Sequence, residues 1–251
     1  MSVIVDTFMM NDELDMLECR LVELSDVVDR FVIVESDRTH GHNRPKPLHF
    51  LENQDRFGPW SDQIVHVTAT GLPSDVDAWS REHAQREFVR EGLNRLDLHA
   101  DDIVLHGDID EIPDSFCVDH CRPSGFVVFD QTLCCFAVDW LHPQVWAGTV
   151  AGRVRHIDSF AKMRDARLSS STHLPDAGWH LSWLGGLDAA TRKIDSFCHP
   201  EIEDEWRPRL AECFTDGIHV DGTKLVPVDV DESWPAWIVD GKAPESWFRP
   251  R

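Results

Sequence analysis

The chain has 251 residues, 42% hydrophobic and 27% charged, with thirteen Phe and ten Trp. That content supports a sizeable core without disulfides or a structural metal, and it excludes a chain that is disordered throughout. Lys and Arg total 24 against 45 Asp and Glu, a net charge of −21; such a surface repels phosphate backbones and anionic headgroups, which argues against nucleic acid and membranes as partners.

No window approaches the roughly 18 apolar residues of a membrane span. Met1 to Asp6 lacks a basic n-region and reaches an acid at once, so it reads as neither signal peptide nor anchor. Seven cysteines, Cys19, Cys117, Cys121, Cys134, Cys135, Cys198 and Cys213, include no C-x-x-C pair. They are expected to be reduced and mostly buried, and the chain to be cytoplasmic. A zinc site from Cys117, Cys121 and His120 is the alternative use of two of them.

Val3 to Phe8 reads as a strand. Leu14, Leu17, Leu21, Leu24 and Val28 form one apolar helical stripe, and Phe31 to Val34 is a continuous apolar run suited to a strand covered on both faces. Residues 36–62 are polar and Pro-containing and read as a long loop. Ile64 to Val67 is a further strand. Asp77 caps a helix whose apolar face continues through Trp79, Ala84, Phe88, Leu93 and Leu96. Asp102 to Gly107 is a strand that runs into Asp108-Ile109-Asp110-Glu111-Ile112-Pro113.

In the second half, Phe126 to Phe129, Leu133 to Val138 and Thr149 to Val154 read as strands, and 164–178 as a loop. Gly178 to Trp183 precedes a helix to about Phe197, and Ile202 to Phe214 is a further amphipathic piece. The tail from Val230 is rich in Pro and Trp and is expected to wrap the surface irregularly. The alternation of strands and helices predicts an α/β domain with a mainly parallel central sheet. It reads as one domain, with a nucleotide-binding half at 1–113, an acceptor-side half at 114–229 and the tail at 230–251.

The chemistry concentrates at Asp108 and Asp110. In an extended segment both carboxylates point to one side. Two such acids at the carboxyl end of a buried strand, where open α/β sheets form their ligand crevice, suit a hard divalent cation that could hold a diphosphate. The plainer alternative is a pair of acids capping a loop.

Seven segments in one order resemble glycosyltransferase family 17, the β-1,4-mannosyl-glycoprotein β-1,4-N-acetylglucosaminyltransferase family. They are Asn11 to Asp15 with Leu17 to Leu21, Val27 to Ser36, Lys46 to Phe50, Arg81-Glu82 with Gln85-Arg86, Asp101 to Leu105, Gly107 to Pro113, and Gly178 to Gly186, covering residues 6–205. The resemblance implies a GT-A-type nucleotide-diphospho-sugar transferase. Its donor would be a UDP-sugar, with N-acetylglucosamine as the sugar, its metal Mn2+ or Mg2+, and its acceptor a glycan-like hydroxyl. It implies that Asp108 and Asp110 are the D-x-D metal and diphosphate ligands and that His180 is a further metal or diphosphate contact. Glu35 would be a nucleoside contact and Arg81 a donor-phosphate contact.

Family members invert the anomeric centre, so one group must take the acceptor proton. Asp176, beside Gly178-Trp179-His180, and Glu111 are the candidates named for it, with Asp130, Asp139, Asp188 and His180 as others. Trp146 and Trp179, like Trp140, suit stacking on a sugar ring or a place in the core. Lys193 suits a phosphate ligand or a solvated helix face. Two rivals remain at this point: a haloacid-dehalogenase-like phosphatase, because Asp108 to Ile112 approximates its D-x-D motif, and a carbohydrate-binding module without catalysis.

Overall fold

The computed structural model describes residues 2–250. Ten strands form one sheet: β1 (Ile4–Met10), β2 (Arg30–Ser36), β3 (Ile64–Ala69), β4 (Ile103–Asp108), β5 (Glu111–Pro113), β6 (Val127–Cys135), β7 (Trp140–Arg153), β8 (His173–Leu174), β9 (Gly178–Ser182) and β10 (Val226–Pro227). The order across the sheet is β3-β2-β1-β4-β7-β6-β9-β5, with β8 on β6 and β10 on β7.

The first four strands in that order run parallel. The expected mainly parallel sheet is corrected beyond them: β7 is antiparallel to both β4 and β6, and β5 is antiparallel to β9. The sheet is mixed. The reason is connection length. Only four residues join β6 to β7, and so short a link permits only an antiparallel pair, whereas the helices after β1 and β3 allow parallel crossovers.

Strand alternation sorts the apolar residues into two cores. Ile4, Phe8, Phe31, Ile33, Ile103, Leu105 and Phe129 point to one face, and Val5, Val32, Val34, Val104, Val128 and Val150 to the other. The helix Leu14–Leu24 covers the first face through Leu17, Leu21 and Leu24 of the predicted stripe, joined by Met16 and Cys19. Helix Ala78–Glu87 lies on the second face. Asp77 Oδ1 caps it by accepting the Ser80 amide at 2.8 Å, as expected. The expected apolar face is corrected here: Trp79 is exposed, and the helix instead buries Arg81, Glu82, Gln85 and Arg86, whose charges and amide find partners inside. Apolar burial resumes in a separate helix, Val89–Leu93. There Gly92 lets the backbone close on β2, since a Cβ would lie 2.3 Å from a Val32 methyl. A third core gathers Phe136, Trp140, Trp183, Ile194 and Leu210 under helices Gly186–Ser196 and Leu210–Asp216.

Two stretches expected to be irregular carry short helices. Residues 36–62 contain His49–Glu52 and the 3-10 segment Gln54–Trp60, and 164–178 begins at the end of helix Phe160–Asp165. The tail, expected to be irregular, likewise carries short helices, Ala236–Val239 and the 3-10 segment Glu245–Trp247. It also buries Trp237 and Trp247, whose rings lie 5.4 Å apart, in the first core.

One charged pair lies wholly inside. Asp6 on β1 and Arg20 on helix Leu14–Leu24 are both 0% exposed. The guanidinium donates to both Asp6 oxygens, at 2.7 and 2.8 Å, and lies over the Phe8 ring at 4.6 Å. Its third nitrogen donates to the carbonyls of Asp108, Ile109 and Glu111 at 3.0, 3.2 and 2.6 Å. Breaking a buried pair leaves an uncompensated charge. Arg20→Ala is therefore expected to lower unfolding free energy by about 3–5 kcal/mol, and Arg20→Lys to recover little of it, because an ammonium cannot reproduce the planar fork. Urea unfolding of both variants checks this; a full rescue by Lys would contradict it.

Candidate active site

Asp108 is the last residue of β4, and Glu111 opens β5. Ile109 and Asp110 form the turn between them, so the acids do not share one extended segment as the spacing suggested. They reach the same cleft because the turn, pinned by Arg20, presents both. The cleft holds about 520 Å³, within the usual range for small-ligand sites. It lies beyond the carboxyl ends of β1 and β4, with Met9, Met10, Asp108 and Asp110 in its wall.

Each acid has cationic partners. Asp108 Oδ1 accepts from Arg86 at 2.7 Å and Oδ2 from Arg164 at 2.9 Å. Asp110 Oδ2 accepts from Lys193 Nζ at 2.8 Å, and its Oδ1 lies 3.5 Å from His180 Nε2. Burial alone would raise both carboxyls. Against it, Arg164 and Arg86 hold Asp108 well below the ordinary carboxylate range, and Lys193 and His180 hold Asp110 below it. Lys193 is raised in turn: burial pulls it down, but Asp110 outweighs that. Its ammonium also lies over the Trp183 ring at 5.4 Å. Trp183 itself is held at φ 63°, a left-handed conformation that a bulky residue keeps only where its surroundings enforce it.

The expected site residues divide. Asp108, Asp110, His180 and Trp146 line the cleft. Trp146 packs on His180 with ring centroids 4.5 Å apart, and its indole N–H donates to Glu111 Oε1 at 2.6 Å. Glu111 does not open on the cleft. It is 0% exposed and takes Arg164 on both oxygens, at 2.5 and 2.8 Å, and the Asp108 amide at 3.1 Å. With its lone pairs so occupied it is a strut under the turn, not a proton acceptor. Asp176 and Trp179 lie apart from the cleft, in a second cavity of about 590 Å³ with Glu232 and Trp234. Alternation along β9 is the cause: His180 faces the cleft, so Trp179 and Leu181 face the opposite core. Gly178 must precede them, at φ 131° with no room for a Cβ, which would lie 2.2 Å from the Ile112 carbonyl.

Glu35 is 0% exposed and sits behind the cleft wall. It accepts the Phe50 amide on both oxygens at 3.2 Å, with Lys46 Nζ 3.8 Å away; Lys46 is the one of the two that lines the cleft. Arg81 binds backbone, donating to the carbonyls of His40 at 2.7 Å and Gly41 at 3.1 Å and also to Val76. It holds a loop; its helix neighbour Arg86 reaches the acid. Trp140 belongs to the third core. All seven cysteines are free. Cys117 and Cys121 are both pushed up to about 11, chiefly by burial, and His120 faces the Phe116 carbonyl.

Sequence reasoning missed Arg86, Arg164 and Glu13. Arg86 had a local signal, Glu82 four residues before it, and the pair is made at 2.6 Å. Arg164 had none: its partners Asp108 and Glu111 are more than fifty residues away in the chain. Glu13 lines the cleft, and burial and Asp12 raise its carboxyl.

The donor chemistry of Asp108, Asp110 and His180 fits a divalent cation. The Asp108 side chain keeps 36% of its surface open, and His180 Nδ1 is buried without a hydrogen-bond partner. Oxygen donors with one imidazole are a set that Mn2+ accepts.

The family model of glycosyltransferase family 17 matches residues 2–205. The human β-1,4-mannosyl-glycoprotein 4-β-N-acetylglucosaminyltransferase is 34% identical over 116 residues, which are 44% of this chain and 22% of that protein. The rat enzyme is 34% identical and the mouse enzyme 33% over the same length, each covered to 21%. The matched stretch thus spans about a fifth of these relatives. Among solved structures, the apo-form glycosyltransferase GlyE of Streptococcus pneumoniae TIGR4 aligns with a TM-score of 0.33 at 12% identity, over 65% of this chain and 36% of that one. So loose a likeness adds nothing to the assignment.

His106 lies under the site, between Thr7 Oγ1 at 2.9 Å and Arg86 at 3.4 Å. Burial, Arg86 and Arg164 hold it well below its ordinary 6.5. The unfolded chain therefore binds a proton that the folded chain refuses, and stability falls as pH drops below about 6.5. Asp108 and Asp110 act lower. Their contribution is present above their ordinary 3.8 and is lost as pH falls through their depressed folded values. Urea midpoints are expected to decline steadily from pH 7 to pH 4, with a shallower slope between pH 7 and 5 in His106→Gln. A flat profile would contradict the His106 assignment.

Proposed function

The chain belongs to glycosyltransferase family 17, and from that premise we propose that it transfers a sugar, N-acetylglucosamine, from a UDP-sugar to a hydroxyl of a glycan-like acceptor. The observation that carries the reading is the ring of Arg86, Arg164 and Lys193 around Asp108 and Asp110, in a 520 Å³ cleft. The protein has a net charge of −21, whereas the cleft wall carries as many Arg and Lys as Asp and Glu. Cations are thus concentrated there relative to the rest of the surface, and Arg86, Arg164 and Lys193 are the groups that a nucleoside diphosphate would meet. The run β3-β2-β1-β4, with the cleft at its carboxyl ends, agrees with a GT-A-type arrangement.

Asp108 and Asp110, with His180 beside them, would hold Mn2+ or Mg2+, which when bound supplies Lewis-acid charge at the departing diphosphate. Arg86 and Arg164 keep Asp108 ionised and oriented. Lys193 carries a second charge to the same place from helix Gly186–Ser196. Its four-carbon stem lets the ammonium move from Asp110 onto a phosphate oxygen. Trp146 offers a flat indole edge beside His180 for the sugar. Transfer with inversion is a single displacement, in which developing charge on the diphosphate meets cations already fixed in place.

Nucleotide release from a panel of UDP- and GDP-sugars, with Mn2+ and with chelator, tests this. The expected result is turnover confined to UDP-sugars and greatest with UDP-N-acetylglucosamine. In Asp110→Asn kcat/KM should fall at least about 100-fold, with the unfolding transition retained. Unchanged turnover in that variant, or cleavage of p-nitrophenyl phosphate without any nucleotide, would defeat the proposal. A carbohydrate-binding module would instead be stabilised by glycans and unmoved by UDP with Mn2+.

A further inference from the structure

His142, His219 and Asp221 line the same cleft but take no part in the site around Asp108. Each offers one ligand atom, and those atoms lie within 4.8 Å of one another; among the described residues this is the one group of three metal-capable side chains so placed. Asp221 faces both imidazoles, with Oδ1 3.0 Å from His219 Nδ1 and Oδ2 3.9 Å from His142 Nε2. Two ligands on one ion, each at about 2.0–2.1 Å, stand about 2.9–3.4 Å apart. Of the three separations the His219–Asp221 one already matches, and the two that involve His142, both within 4.8 Å, would close on binding.

Backbone and burial prepare the three. His142 stands on β7 with its side chain 3% exposed. His219 and Asp221 sit in a tight turn closed by the Ile218–Lys224 bridge. Its hydrogen bonds run from the His219 amide to the Thr223 carbonyl and from the Gly222 amide to the His219 carbonyl, both at 2.8 Å. The Thr223 amide donates to Asp221 Oδ1 at 2.8 Å. Burial opposes the charge on Asp221, but Thr223 holds its carboxyl below the ordinary range. Burial and His219 hold His142 below the ordinary imidazole range.

A separate observation points to a missing partner. His219 Nδ1 is buried, and although Asp221 Oδ1 is 3.0 Å away, the two are not in hydrogen-bond geometry. A buried imidazole nitrogen without a partner is uncommon, and a cation between it and the carboxylate would satisfy both. We propose that His142, His219 and Asp221 form a second metal site, for a zinc-class divalent ion, with its open position toward the cleft. Two imidazoles and one carboxylate are a ligand set that Zn2+ takes with a position left for water or a hydroxyl. Coordination through His142 Nε2 moves that ring's proton to Nδ1 and gives up the 3.2 Å contact from the Gln144 amide. The site does not depend on the glycosyltransferase reading.

The test is metal binding to chelator-treated full-length protein. Zn2+ is followed by equilibrium dialysis and Co2+ by its visible spectrum. Wild type is expected to bind one equivalent at this site, with a Co2+ spectrum free of thiolate charge transfer. Asp221→Asn, at a half-exposed side chain that should leave folding intact, and His219→Gln are each expected to weaken that equivalent at least 10-fold. Asp110→Asn should leave it unchanged. A thiolate band would assign the ion to the cysteines, and loss in Asp110→Asn would assign it to the D-x-D turn; either overturns the proposal. So would unaltered affinity in both His219→Gln and Asp221→Asn, or no bound equivalent in wild type.

Discussion

The site depends on one buried guanidinium. Arg20 reaches through the first core to bind Asp6 on β1 and three carbonyls of the turn from Asp108 to Glu111. A turn between a parallel strand and an antiparallel one has no ladder of its own to fix it. Arg20 supplies the missing donors, and Asp6 neutralises the charge at depth. Glu111 does the same from the other side, accepting the Asp108 amide while Arg164 spans Glu111 and Asp108. The two acids of the motif therefore stand on a frame of charged groups that never face solvent.

That frame also explains how so acidic a protein concentrates cations in its cleft. The positive groups come from three separate elements: Arg86 from Ala78–Glu87, Arg164 from Phe160–Asp165 and Lys193 from Gly186–Ser196. Each is anchored by one of the two acids of the turn. A carboxylate pair at the centre gathers cations that would otherwise repel one another, and the cluster is then set for a more highly charged anion. The desolvated setting strengthens every one of these interactions relative to water.

The second half of the chain does two jobs with one strand. Along β9, Trp179 and Leu181 complete the core while His180 looks into the cleft. Glu111 and His180 are paired across β5 and β9, so the strut beneath the turn and the imidazole beside it keep a fixed distance. Trp146, bonded to Glu111 and tilted against the His180 ring, ties β7 to the same point. The cleft is thus braced by the antiparallel part of the sheet, while the parallel part supplies the acids.

What the sequence determined was local. Apolar periodicity marked the helix Leu14–Leu24 and the buried strand β2, the Asp77 cap marked a helix start, and the apolar run before Asp108 marked a strand ending in two acids. Those signals are physical because neighbours in the chain are neighbours in the element. The family likeness, too, rests on short contiguous segments. The tertiary structure alone decided which charges meet. Arg20 lies 14 residues from Asp6, and Arg86, Arg164 and Lys193 lie 22 to 83 residues from the acids of the turn; no periodicity encodes such pairings. It likewise put Glu111 beneath the floor and Asp176 and Trp179 outside the cleft. The face a side chain takes on β9, and the burial of a carboxylate under its neighbours, exist only once the strands have paired.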